Sequence, residues 1–225
     1  MKLLLFIFVV QALVALASAE EIPLRVKSTT HPYGWRLLAF KNSKANTLYT
    51  SNGSLLVAVN ASSGPLVYSF GEVKTISGFT FQGTVDGLIL LPALKNQGES
   101  GADDFVLRFG IILSGDKKMT RLQSMLAPVW VRELAVMGPK GTGLGKIDFY
   151  NVANGSGPIW KQRMHPSGNQ MLKETIACSL QQPGEIFLDK AYSSPVRAVG
   201  LWIACDGDDT GSKFNLAIDR IEIRP

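Results

Sequence analysis

The sequence predicts an all-β protein, a two-sheet antiparallel β-sandwich of the jelly-roll kind, and three observations carry that prediction. Apolar and polar residues alternate with a period of two through almost every segment. Turn-forming residues, among them 22 Gly and 11 Pro, punctuate the chain at short intervals. No apolar repeat of 3.6 residues is sustained, and no self-similarity of blade length points to a propeller. Such a sandwich buries the alternate residues of two facing sheets.

The first nineteen residues read as a leader. Met1 and Lys2 form a short positive start, residues 3–16 are apolar except for Gln11, and Ala17, Ser18 and Ala19 have the small-x-small form that signal peptidase requires. The expectation is a signal peptide over residues 1–19, with residues 20–225 folding as one domain exported to the periplasm or secreted. The apolar run is shorter than the roughly 20 residues that span a bilayer, and no later stretch is longer, so no membrane span is expected.

Strands are expected over residues 35–40, 47–50, 54–60 and 66–70, with Asn52 and Gly53 as a hairpin turn because both tolerate positive φ. Residues 79–85, FTFQGTV, are aromatic on one face and polar on the other. Residues 105–113, FVLRFGIIL, are apolar but for Arg108. Further strands are expected over 129–136, 146–152, 173–180 and 184–189. Only residues 117–126 look helical, with Pro128 ending that stretch. The chain closes on 199–205 and 214–223, read as a hairpin around the acidic turn 206–209.

A formal net charge of +5 is mild for this length and is spread out, with Lys117, Lys118, Arg121, Lys140 and Lys146 the one loose cluster. That reads as a solvated face, and no nucleic-acid partner is expected. Cys178 and Cys205 both fall in expected strands, so in an oxidising compartment they make either one disulfide or two buried thiols.

Three pieces together, FTFQGTV, GADDFVLRFGII and the terminal VGLWIACDGDDTGSKFNLAIDRIEI, resemble a family of exported bacterial proteins known as domain of unknown function 3047. Asp103, Asp104, Phe105 and Arg108 stand on its G-D-D-F-x-x-R motif. Asp206, Asp208, Asp209 and Thr210 stand on its later acidic motif, and Asp219 with Ile221 on its closing strand. The tryptophans and arginines of the family's first motif are replaced here by Phe79, Phe81 and Gln82. The resemblance implies a galactose-binding-like jelly roll in the periplasm and no known reaction.

Three constellations could carry chemistry. The turn carboxylates Asp206, Asp208 and Asp209 could converge on a hard cation such as Ca²⁺, which takes six to eight oxygens; the same residues also suit an ordinary turn. Arg108, inside an apolar strand, needs an acceptor, and Asp104, four residues earlier, is expected on its face with Asp103 beside it. Such a fork could be an ion pair or could hold a carboxylate or sugar hydroxyls. Trp160, beside a Gly/Pro loop, with Phe79 and Phe81, could stack on a sugar ring, whereas Trp202 reads as core. The loop at 138–146 lacks the Gly spacing and the Ser/Thr of a phosphate-binding loop. His31 and His165 adjoin prolines without ligand spacing. The leading expectation is a non-enzymatic binding module for an envelope or environmental carbohydrate. The alternatives are a glycan hydrolase or lyase using the turn carboxylates, and a structural envelope protein that docks a protein partner.

Overall fold

The computed structural model describes residues 18–28, 34–38, 40, 43–116, 118–168 and 170–225. The expected leader lies almost wholly outside the described residues, as do His31 and the loop around it. Among the described residues, eleven strands and two short α-helices follow one another: β1 (Glu20–Glu21), β2 (Arg36–Leu37), β3 (Thr47–Ser51), β4 (Ser54–Asn60), β5 (Leu66–Asp86), β6 (Leu107–Gly115), α1 (Arg121–Leu126), α2 (Val129–Ala135), β7 (Gly143–Asn154), β8 (Gln162–Met164), β9 (Leu172–Leu180), β10 (Gly184–Ala204) and β11 (Lys213–Arg224).

The chain is organised around β5 and β10, which pair along most of their length and pass through both layers of a sandwich. The hydrogen-bonded order is β3-β4-β11-β5-β10-β6-β7-β9-β8. The second half of β5 pairs with β11 and with the first half of β10. The first half of β5 pairs with the second half of β10, which in turn carries β6. The register breaks between Ala191 and Val196, where Pro195 has no N–H to give a ladder, and there the ribbon turns from the front layer into the back one. Phe79 on the front layer and Phe109 on the back share no register, yet their rings lie 4.7 Å apart. That contact shows the two layers face to face, and Phe81 meets the same ring at 5.4 Å.

Residues of one parity from every long strand fill the space between the layers, including Val57, Phe81, Ile111, Leu201 and Leu216. A smaller apolar layer lies on the outer face of the back sheet. It gathers Ile112, Ile147, Phe149, Val199 and Trp202 under Leu134 and Met137 of the β6–β7 excursion. The excursion is held by its α2 end. Ser69 Oγ donates to the Met137 carbonyl at 2.8 Å, and Arg36 pairs with Glu133.

The all-β sandwich agrees with the sequence reading, and the β3–β4 turn at Asn52 (φ 50°) and Gly53 (φ 85°) is formed as expected. Three details differ, and a fourth point concerns the two cysteines, for which both alternatives stood open. The last two strands are not a hairpin, because β5 lies between β10 and β11. The strand expected over residues 129–136 is instead the helix α2 and its C-cap, since half-buried Trp130 and buried Leu134 and Met137 recur at helical spacing beneath the alternation of Val129 and Val131. β7 and β9 pair in parallel, within an otherwise antiparallel set of long strands. Cys178 and Cys205 are free thiols. Cys178 lies opposite Val152, Val152 opposite Leu107, and Leu107 beside the Arg108–Ala204 pair. Three strand steps of about 4.8 Å separate the two cysteines, beyond the roughly 7 Å a disulfide can bridge.

Candidate functional site

The outer face of the back sheet is not covered from end to end. Where the excursion stops short, a cavity of about 440 Å³ opens between it and the loops that carry the two acidic motifs. One wall is apolar: Phe40, Pro128, Trp130, Phe149, Leu172 and Trp202. Trp130 and Phe149 each stand edge-on to Trp202, with ring centroids 6.0 Å away. Gly110 makes this wall fit. It lies between Trp202 and Phe149 in register, and a Cβ there would meet Phe149 Cε1 at 2.7 Å and Ile147 Cγ2 at 2.9 Å.

The floor is ionic. Arg108 sits on the same face as Gly110, one pleat along, and its side chain is 9 % exposed. It donates to Asp206 (Nε, 3.0 Å), to Glu174, and to the Asp103 carbonyl (2.5 Å), and it pairs with the Asp103 carboxylate at 3.0 Å. Glu174 is fully buried and also accepts from Arg163 Nε (2.6 Å) and Asn151 Nδ2 (2.9 Å). Arg163 reaches Asp103 as well, at 3.0 Å, and His165 Nε2 lies 2.9 Å from the other Asp103 oxygen. Two arginines, one histidine and three carboxylates therefore form one network.

Asp104 is outside this network. The strand begins at Leu107, so Asp104 does not share a pleat with Arg108 as the spacing suggested. Its Oδ2 instead accepts from Thr210 N (2.8 Å) and Oγ1 (2.6 Å), and its Oδ1 from Asp209 N (3.4 Å). The two acidic motifs are thus tied directly together, and Asp103 N completes the tie by donating to Asp209 at 3.1 Å.

Burial and neighbours separate the carboxyls electrostatically. Burial, reinforced by Asp104 and Asp208, raises Asp206 to about 7 in spite of Arg108. Burial also pushes Asp103 up, but the hydrogen bond from His165 and the charges of Arg108 and His165 overcome it and hold Asp103 at about 2. Asp104 is raised, chiefly by burial.

The other expected site residues are distributed differently. Asp208 accepts from Ser43 (2.7 Å) and Ser63 (3.0 Å), so Asp206, Asp208 and Asp209 each face a separate donor. Among the described residues no three His, Cys, Asp or Glu side chains are arranged to hold a metal ion. Phe79 and Phe81 are not a stacking surface; the pleat turns them into the space between the layers, where both are fully buried. Trp160 is half-buried against Phe105 (6.3 Å) and Gly98, with the Arg163 guanidinium 4.1 Å above its ring, so it is not a free platform.

Sequence reasoning missed Glu174, Arg163 and the role of His165, and it preferred Trp160 to Trp130 among the aromatic candidates. Glu174 did carry a signal. It stands between Leu172 and Ile176 at the same parity, a charge on an apolar face, which is the argument that singled out Arg108.

No family model matches the chain, and no curated protein matches it. Among solved structures the chain is similar to the family 11 carbohydrate-binding module of the cellulosomal cellulase Lic26A-Cel5E of Clostridium thermocellum, at 9 % identity and a TM-score of 0.42, over 93 % of this chain and 97 % of that one.

Proposed function

We propose that the protein is a carbohydrate-binding module whose ligand occupies the outer-face cavity. The observation that carries this reading is the pairing of an aromatic wall, Trp130 and Trp202, with a floor and rim of carboxylates and serine. A pyranose presents apolar C–H faces that pack on aromatic rings and hydroxyls that donate to carboxylates. The volume lies within the range typical of small-molecule sites and leaves room for a mono- or disaccharide unit. Asp208 and Asp209 are exposed at the mouth and hold acceptor capacity beyond the bonds they already make. Arg108 and Glu174 lie deeper, and their part is to keep the floor rigid.

The leader at residues 1–19 supports a place outside the cytoplasm, where such ligands occur. Among the described residues no helix is long and apolar enough to cross a membrane.

The test is calorimetric titration of the chain from Glu20 with a panel of soluble oligosaccharides, alongside Trp130→Ala and Asp208→Asn. Binding to at least one glycan, lost in Trp130→Ala and weakened in Asp208→Asn, is the expected outcome. No binding to any, or binding that both variants keep, refutes the reading.

A hydrolytic reading has one observation in its favour. Asp206 holds a proton near neutral pH beside other carboxylates, as a general acid must. Assaying the bound glycan for reducing ends, with Asp206→Asn as control, separates the two: turnover lost in the variant makes the module an enzyme.

A further inference from the structure

The β6–β7 excursion has a second surface that the cavity does not use. In α1, Leu122, Met125 and Leu126 are spaced i, i+3, i+4 and so share one face. That face should turn inward, yet the three side chains are 66 %, 69 % and 78 % exposed. No residue of α1 is buried. Val129, the first residue of α2, and Val136, its C-cap, are exposed apolar side chains as well. A helix of six residues has little stability of its own. This one is fixed by a capping box, in which Thr120 Oγ1 accepts from Gln123 N and Gln123 Oε1 accepts from Thr120 N. An apolar face held rigidly in water needs an occupant.

Charge indicates which one. Residues 115–143 carry five basic side chains, Lys117, Lys118, Arg121, Arg132 and Lys140, against Asp116 and Glu133. Glu133 is already paired with Arg36. Lys118, Arg121, Arg132 and Lys140 are all exposed. The segment is thus apolar side chains accompanied by unneutralised cations. A second copy of the chain fits poorly, because a two-fold contact would bring one basic segment against the other. An anionic lipid surface fits both features: the Leu, Met and Val side chains enter below the headgroups and the basic residues meet the phosphates.

We propose that α1 and the adjoining ends of α2 dock the protein on anionic phospholipid bilayers. Pro128 and Trp130, next along the chain, line the cavity, so the docking surface and the ligand site share one element. The docking surface stands on its own observations and would survive failure of the glycan reading.

The experiment is vesicle flotation with the chain from Glu20, which retains every described strand and lacks the apolar leader. Vesicles of phosphatidylcholine with phosphatidylglycerol are compared with phosphatidylcholine alone, at low and high salt. Binding to the anionic vesicles alone, weakened by salt, is expected. Arg121→Gln and Arg132→Gln should each weaken it about fivefold. Leu122→Ser with Leu126→Ser should abolish it while leaving the melting temperature unchanged, because both side chains are exposed. The proposal is overturned by absence of binding to anionic vesicles, by binding that the double variant keeps, or by a wild-type dimer that the double variant splits.

Discussion

The back sheet buries a different chemistry on each of its faces. Toward the front layer, Phe109 and Ile111 of β6 meet Phe79 and Phe81 in a dry apolar contact. On the opposite face the same strand sets Arg108, Gly110 and Ile112, and there the packing is half apolar and half ionic. The inner face needs only volume and shape, and hydrophobic burial suffices to hold it. The outer face sinks two arginines and three carboxylates beside tryptophan, where apolar residues of similar size would hold the fold as well or better. In the proposed function, those charges hold the geometry that meets the ligand. The proposed site therefore lies on the outer face and not on the aromatic strand FTFQGTV, whose Phe79 and Phe81 were expected to stack on a sugar ring but face the sandwich interior.

The largest effects should come from breaking either face outright, and their pH dependence should tell them apart. Phe109→Ala removes the ring that Phe79 and Phe81 share and should cost about 3–5 kcal/mol at any pH. Arg108→Ala should cost a comparable amount, about 3–5 kcal/mol, near pH 7, because Glu174 and Asp206 are left buried without their partner. That loss should shrink on acidification as the stranded carboxyls take up protons. Urea unfolding of both variants across a pH series checks this; a pH-independent loss in Arg108→Ala would show that the ionic floor is ordinary packing.

A smaller effect is expected at the seam between wall and strand. Gly110→Ala places a methyl group within 2.9 Å of Phe149 and Ile147, so the wall must shift, at about 1–3 kcal/mol. The shift should reshape the cavity as well, so ligand affinity should fall along with melting temperature. Gly53→Ala makes no such contact and is strained only through its positive φ. It should lower stability by about 1 kcal/mol and leave binding untouched.

The finest distinction is in titration. Asp206 is raised to about 7 in the folded protein, so between pH 4 and 7 the folded state holds a proton that the unfolded chain has released. Stability should fall as pH rises through that window, with a slope of up to about 1.4 kcal/mol per pH unit, and level off above it. Asp103 works in the other direction. Depressed to about 2, it contributes stability that is complete above pH 4 and lost as pH falls toward 2. Asp206→Asn keeps an oxygen for Arg108 and should remove the slope between pH 4 and 7, leaving the acid limb in place. A slope that survives the substitution would mean another group titrates there.

Local features of the fold were legible in the sequence and long-range ones were not. The strand at 54–60 and the Asn52-Gly53 turn were readable because alternation and φ preference act within a few residues. The continuity of β5 was hidden by its middle, where Gly71 and Glu72 are exposed and Gly71 breaks the pattern. The insertion of β5 between β10 and β11 depends on pairing over more than a hundred residues, and a local hairpin pattern imitates its absence. At the site, Arg108 and the acidic turns were visible as charges where apolar or turn residues suffice. The roles of Trp130 and His165 were not, because each becomes part of the site only when a separate connection folds over the sheet. Trp202 was read as core, and it is core that also forms the cavity wall.

The claim that most needs testing is that the outer-face cavity, and not the sandwich core or Trp160, receives the ligand. Tryptophan fluorescence during titration with a bound oligosaccharide addresses it directly, using Trp130→Ala and Trp160→Phe beside the unmodified chain. Trp130 is half-buried, so its loss should leave the fold intact while removing one face of the wall. The account predicts a saturable spectral change that persists in Trp160→Phe and disappears in Trp130→Ala. A change lost in Trp160→Phe and kept in Trp130→Ala would place the ligand elsewhere and contradict it.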